Sequence, residues 1–258
     1  VNEALYIAAT GMHTQQKSVD TIANNLANVH TPGFKKGKVS FEDLVYRELN
    51  GAARAGNAER LLQAGSGVAV QSLLKDFTAG ELKKTDAPLD LAIRGDGFIE
   101  VLLGDGSSAY ARGGTLSVDK DGLLATADGL VLKPGIHVGQ DAREISIAAD
   151  GRVLVRSRDQ AQAVEAGRIE LVRFADNSGL QAAGGNLYRS TERSGEAIFA
   201  RTGEDGAGAL AQGYLEGSNV RLIDEMVDLM AAQRAYESSV KVIQAADELL
   251  AMSNNLRK

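Results

Sequence analysis

Three histidines, His13, His30 and His137, are the residues best suited by type to hold a transition metal, but they are scattered along the chain and no cysteine stands near to complete a site. Asp119, Asp121 and Asp128 punctuate the run Asp-Lys-Asp-Gly-Leu-Leu-Ala-Thr-Ala-Asp-Gly, which has the look of a calcium loop. It lacks the alternating ligand spacing and the bidentate glutamate that such a loop needs, and two hairpin turns explain it better. Gly33-Phe-Lys-Lys-Gly-Lys38 resembles a phosphate-binding loop only faintly, since the spacing is wrong and no Ser or Thr follows the lysine. A nucleophile elbow, a zinc-protease pair and a Walker loop are all missing. The sequence therefore predicts a non-enzyme with no catalytic, metal or cofactor-binding residues.

Composition narrows the alternatives. Thirty-four acidic and 28 basic residues give a net charge of -6, with the two signs interspersed, so no basic face suited to nucleic acid is expected. The 258 residues, 44% of them hydrophobic, can bury a substantial core. Twenty-nine glycines against three prolines point to many tight turns. Neither a conventional secretion signal at the first residues nor an apolar run of membrane-spanning length is expected, and so no membrane insertion. With no cysteine, disulfides and thiol chemistry are excluded.

Spacing carries the positive signal. Leu5, Met12, Val19 and Leu26 recur every seven residues, with Ala8, Gln15, Ile22 and Val29 in the second seam position, which predicts a first helix ending near Asn28 to Thr31 before Pro32 and Gly33. Leu222, Leu229, Tyr236, Ile243 and Leu250 form a second series, with Met226, Gln233, Val240 and Asp247 four residues on, predicting a helix over about 220–253. Ser218 or Asn219 is the expected cap, and Asp224, Glu225 and Asp228 suit the positive end of the helix dipole. Between them, Phe41–Leu49 has some helical character and Gly51–Gly67 reads as a mobile connector. From Leu89 to about Leu210 short apolar runs alternate with Asp-Gly pairs at 96, 105, 121, 128 and 150, as in a succession of antiparallel hairpins with type I′ turns. The expected class is α+β: N- and C-terminal heptad helices packed as a coiled-coil stalk (1–32 with 219–258), an extended connector (33–84), and a β-rich antiparallel central domain (85–218). Both helices are dense in alanine, which permits close packing and leaves apolar surface over for other subunits.

Ala23-Asn24-Asn25-Leu26-Ala27-Asn28-Val29-His30-Thr31-Pro32-Gly33-Phe34-Lys35 resembles the signature of the flagellar basal-body rod and hook protein family. Leu5-Tyr-Ile-Ala-Ala-Thr-Gly-Met12, Gln212-Gly-Tyr-Leu-Glu-Gly-Ser-Asn-Val220 and Gln233-Arg-Ala-Tyr-Glu237 look closest to its distal-rod branch. The likeness extends to Leu91–Phe98, Gly106–Arg112 and 169–187. Ala111-Arg112-Gly113-Gly114 departs from the usual Thr-Arg followed by Asn or Asp and Gly, and Gly217 is a second departure.

The resemblance implies a structural subunit of the flagellar rod that polymerises head to tail into a rigid hollow shaft. A proximal-rod or hook-type axial subunit is the alternative. It further implies export through the flagellar apparatus without a cleaved signal peptide, a place in the basal body across the periplasm, and contacts with itself, other rod and hook subunits and the bushing rings. The expected assembly interface is Leu5, Met12, Val19, Ile22 and Leu26 with Leu222, Met226, Leu229, Tyr236, Val240, Ile243 and Leu250. Isolated helices of this length are marginal in water, so the free termini are expected to order on assembly.

Overall fold

The computed structural model describes residues 2–43, 68–158 and 162–255. Helix α1 (Asn2–Ala27) opens the chain and α2 (Leu222–Asn255) closes it. Between them run β1 (Gly37–Asp43), β2 (Val68–Lys75), β3 (Leu82–Lys84), β4 (Asp90–Arg94), β5 (Phe98–Leu102), β6 (Ser108–Ala111), β7 (Gly113–Val118), β8 (Leu124–Thr126), β9 (Ala142–Ile147), β10 (Arg152–Ser157), β11 (Val164–Arg168), β12 (Leu171–Arg173), β13 (Gln181–Gly184), β14 (Leu187–Arg189), β15 (Ile198–Ala200), β16 (Ala209–Gln212) and β17 (Tyr214–Glu216). The expected α+β arrangement, two packed terminal helices and an antiparallel β-rich middle, is what forms. The chain divides into two compact units: 1–27, 37–74 and 221–258 in one, 28–36 and 75–220 in the other.

In the first unit α1 packs along α2, and β1 pairs with β2. Helix α1 stops at Ala27, just short of the expected range, because Asn28 starts a turn instead: its carbonyl accepts the Thr31 amide at 3.1 Å and its side chain accepts the Thr31 hydroxyl at 3.1 Å. Phe41 continues strand β1 rather than opening a helix. The alternation of Val39 and Phe41 with Lys38 and Ser40 is a period of two, and pairing with β2 outweighs the weak helical signal. Residues 44–49 and Gly51–Gly67 lie outside the described residues.

The second unit holds a six-stranded sheet (β13-β14-β6-β5-β12-β15), a four-stranded sheet (β16-β4-β7-β8), a three-stranded sheet (β11-β10-β9) and the pair β17-β3. Leu91, Ile93, Ile99, Val101, Leu124 and Leu171 anchor its main aliphatic core. A smaller aromatic cluster sits around Phe98, Tyr110, Phe174 and Tyr188, with edge-to-face ring contacts such as Tyr110 to Phe174 at 4.8 Å between centroids.

Four of the five expected Asp-Gly pairs make hairpin turns, though not of the type expected, whereas Asp96-Gly97 joins β4 to β5, which belong to different sheets. In Leu103–Ser107, Asp119–Leu123, Thr126–Leu130 and Ala148–Arg152 the first amide donates to the fifth carbonyl, and the glycine amide returns to the first carbonyl. Only the glycine has positive φ. These are three-residue loops closed by a glycine bulge, a form in which the aspartate keeps an ordinary backbone. The Asp119–Asp128 run is two of these turns. A turn with positive φ at both central residues occurs at Asp205-Gly206, where the Ala207 amide reaches the Glu204 carbonyl.

Candidate assembly interface

Small side chains line the seam between the two helices. On α2, Glu225, Ala232 and Ala246 are buried and Ser239 half-buried, at intervals of seven. Leu229 and Ile243 flank that line half-buried, and Tyr236 is 38% exposed. The second line of the seam therefore lies one residue before the expected Met226, Gln233, Val240 and Asp247. Size explains the shift: Gly11 of α1 comes so close to α2 that a Cβ there would stand 3.7 Å from Ser239 Oγ, a spacing that alanine and serine permit and methionine does not. On α1 the expected seam residues face inward, with Ala8 and Ile22 buried and Leu5, Met12, Gln15, Val19 and Leu26 half-buried.

What the small seam leaves outside is large. Leu222, Ile223, Met226, Val227 and Met230 are each at least half exposed, and their spacing sets them in one stripe at the start of α2. Val240 is half-buried, while Leu250 lies where the helix backbone is described but its side chain is not. Gln233, expected to interrupt the seam, is exposed beside Gln16, Val19 and Tyr236 in a shallow groove along the pair.

A carboxylate also enters the seam. Glu225, expected to serve the helix dipole, is fully buried, and Asn25 Nδ2 donates to its Oε2 at 2.9 Å. The same Asn25 carboxamide brackets Gly37, donating to its carbonyl at 2.9 Å and accepting its amide at 2.8 Å. Asn25 thereby ties α1 to the start of β1 and to the first turn of α2.

In the second unit the rest of the signature folds around a buried charge cluster that spacing gave no reason to expect. Lys35 is fully buried, and its ammonium donates to Glu216 Oε1 at 2.6 Å and to the Thr78 carbonyl at 2.8 Å. Arg112 Nε meets Glu216 Oε2 at 3.2 Å, and its other nitrogens donate to the Gly97 and Gly95 carbonyls. The Gly80 amide adds a further donor to Glu216 at 2.9 Å. Burial would raise the Glu216 carboxyl, but Arg112, Lys35 and the Gly80 amide together hold it below the usual carboxylate range. Burial holds the Lys35 ammonium below its ordinary value despite Glu216. Glycine is obligatory beside the cluster: a Cβ on Gly80 would lie 2.0 Å from the Gly217 carbonyl oxygen, and one on Gly113 would lie 2.4 Å from that of Leu91.

Other signature positions hold the chain around the cluster. The Gly33 amide donates to the Glu216 carbonyl at 2.7 Å, with Gly33 at φ 71°. The Pro32 carbonyl accepts Asn186 Nδ2, and the Lys75 ammonium sits 4.6 Å from the centre of the Phe34 ring. Asn219 does not cap α2: its side chain accepts the Lys36 amide at 2.7 Å and donates to the Asp76 carbonyl at 2.7 Å. Asn24 and Ala27 are exposed on the last turns of α1.

Three family profiles match the chain: "Flagella basal body rod protein" over residues 5–35, "Flagellar hook protein FlgE/F/G D1 domain" over 92–155, and "Flagellar basal body rod FlgEFG protein C-terminal" over 211–256. The flagellar basal-body rod protein FlgG of Borreliella burgdorferi is 42% identical, covering 99% of this chain and 98% of that protein. FlgG of Bacillus subtilis is 39% identical over 99% of both. FlgF of Caulobacter vibrioides is more distant, at 33% identity over 96% of this chain and 95% of that protein. The signature that builds the charge cluster, the small-residue helix seam and relatives matched from end to end agree: the chain belongs to the FlgG family of flagellar basal-body rod proteins, the structural, non-enzymatic subunits of the distal rod.

Proposed function

We propose that this subunit polymerises head to tail through its terminal helices into a rigid hollow shaft. In this reading 1–32 with 219–258 form the axial core, 33–84 is a connector that stiffens the tube, and 85–218 is the outer domain. Contacts that do not close into a ring generate a helical filament. The supporting observation is the apolar stripe Leu222, Ile223, Met226, Val227 and Met230, left in water by a pair that has already closed its own seam. Fully burying one such side chain contributes roughly 1.5–3 kcal/mol, so a neighbour covering the stripe gains enough to drive association. Leu5, Met12, Val19, Ile22, Leu26, Leu229, Tyr236, Val240 and Ile243 hold the pair that presents it. The helix pair, only marginally stable in the isolated subunit, gains stability as it buries that surface, which restrains assembly before the growing end is reached.

Location follows from the same reading. The shaft crosses the periplasm within the basal body, the subunit reaches it through the flagellar export apparatus without a cleaved signal, and it meets other rod and hook subunits and the bushing rings. Met226→Asp with Met230→Asp puts two charges into the stripe. The expected outcome is loss of polymer by sedimentation with the unfolding transition of the β-rich unit unchanged; filaments of normal length from this variant would sink the proposal.

A further inference from the structure

We propose that, within the polymer, strand β15 of one subunit docks on strand β13 of a second copy, so that the six-stranded sheet continues from one subunit into the next. The inference rests on the polymer reading above and adds a second contact, made by the β-rich unit. Among the described residues strand β15 ends the sheet and pairs only with β12, through Leu171 to Ala200, Val172 to Phe199 and Arg173 to Ile198. That register places Phe199 in line with Val172 and Phe98, on the aromatic face of the sheet, and Ile198 on the opposite face. Both faces run out unfinished, since Ile198 is 58% exposed and Phe199 62%. Edge strands are ordinarily blunted by charge, proline or cover, and β15 has none of these among its three residues.

The choice of occupant follows from the other edges. Among the described residues the remaining terminal strands carry charged residues, as β3, β9 and β11 do, or are buried for half or more of their length, as β8 and β16 are. Strand β13, Gln-Ala-Ala-Gly, is the exception: uncharged, exposed at all four residues, and the opposite edge of the same sheet. Its Ala182 stands opposite Tyr188 of the aromatic cluster, so small side chains border the aromatic face at the edge where a neighbour's Phe199 would lie. Two different open edges on one sheet are what a head-to-tail contact requires, whereas a twofold contact would use one edge twice.

The absence of native cysteine makes the test clean. Ala183→Cys and Ala197→Cys leave Ile198 and Phe199 in place, and a short bifunctional maleimide bridges them in assembled polymer. The double variant is expected to give a ladder of dimers, trimers and higher species, a co-polymer of the two single variants to give dimers only, and each single variant alone to give none. Dimers from Ala197→Cys alone would mean that β15 meets its own copy, and no bridging in intact filaments would mean that something else covers it; either overturns the proposal. In parallel, Phe199→Lys should raise the critical concentration for assembly about tenfold or more with an unchanged unfolding transition. Normal assembly of Phe199→Lys, while the Met226 and Met230 charge variant fails to polymerise, would reject the edge contact and leave the helix-driven polymer standing.

Discussion

The two units solve the problem of burial in opposite ways. The β-rich unit encloses its large apolar residues and even three charges, Lys35, Arg112 and Glu216, each supplied with partners. The helical unit lines the closest part of its seam with alanine, serine and glycine and leaves Leu222, Ile223, Met226, Val227 and Met230 of α2 outward. The first arrangement is complete in one chain except at the sheet edge formed by Ile198 and Phe199. The second is a surface awaiting more chains, and it has the helix heptads, whereas the first has almost no periodic signal beyond its turns. Self-sufficiency and assembly are thus divided between segments of one sequence, and each prediction below strikes one side of that division.

The largest effect is expected at the centre of the self-sufficient side. Glu216→Ala strands Lys35 and Arg112 as buried charges without their shared carboxylate and should cost the β-rich unit about 3–5 kcal/mol in denaturant unfolding. Lys35→Met should cost clearly less, because burial already opposes the Lys35 charge and Glu216 would keep Arg112 and the Gly80 amide. The pH dependence has a definite sign. Glu216 has a folded pKa below its unfolded one, so its contribution is present above the unfolded value and is lost as pH falls through the folded one. Lys35, depressed as well, is a net cost at neutral pH, and that cost diminishes only as pH rises towards 10.5. Equal losses from the two substitutions would contradict this asymmetry.

Next in size is Tyr188, buried against Phe77 and Phe98, whose hydroxyl is pushed up to about 12, chiefly by burial and then by Glu216. A raised folded pKa means stability that is complete below the ordinary tyrosine value near 10 and is lost as pH climbs through about 12, a contribution of about 3 kcal/mol. In an absorbance titration Tyr188 should ionise in a late step together with alkaline unfolding. Tyr188→Phe should remove that late step, and a late step that survives the substitution would assign it elsewhere.

The difference between the units also governs what could be read without coordinates. Heptads such as Leu5-Met12-Val19 are local and repeated, so both helices and their apolar surplus were legible, to within two residues at three of the four ends and three at the start of α1's pattern. The inner seam was not, because hydrophobicity ranks Met226 above Glu225, and only the close approach at Gly11 favours the smaller line. Four of the five Asp-Gly pairs marked hairpin turns correctly but not their class, which depends on loop length set by strand pairing. The charge cluster was hidden for a different reason: Lys35, Gly80, Arg112 and Glu216 lie far apart in sequence, and nothing in the spacing of four separate residues says that they meet. The family signature contained Lys35, and the family-like segments Gly106–Arg112 and Gln212–Val220 contained Arg112 and Glu216, as letters without a stated role.

On the assembling side the effects are smaller and test the seam itself. Ala232→Leu inserts bulk at a buried position of the seam and should loosen the pair by about 1–3 kcal/mol, read as lost helicity in the isolated subunit. Met230→Gln, on the outer stripe, should leave that helicity alone and weaken only the polymer.

The smallest expected change is also a gain. Gly11 sits inside α1 without a positive φ, and an added Cβ would meet Ser239 Oγ at 3.7 Å, an ordinary contact. Gly11→Ala therefore removes the entropic cost of glycine in a helix without a clash and should stabilise α1 by roughly 0.5–1 kcal/mol. Larger residues have no such room beside α2, so Gly11→Leu should reverse the sign. Circular dichroism of the isolated subunit across the series Gly, Ala, Leu at position 11 measures how closely the helices approach: a rise followed by a fall matches a small-residue seam, and a steady rise in helicity through leucine would mean that the helices do not pack there at all.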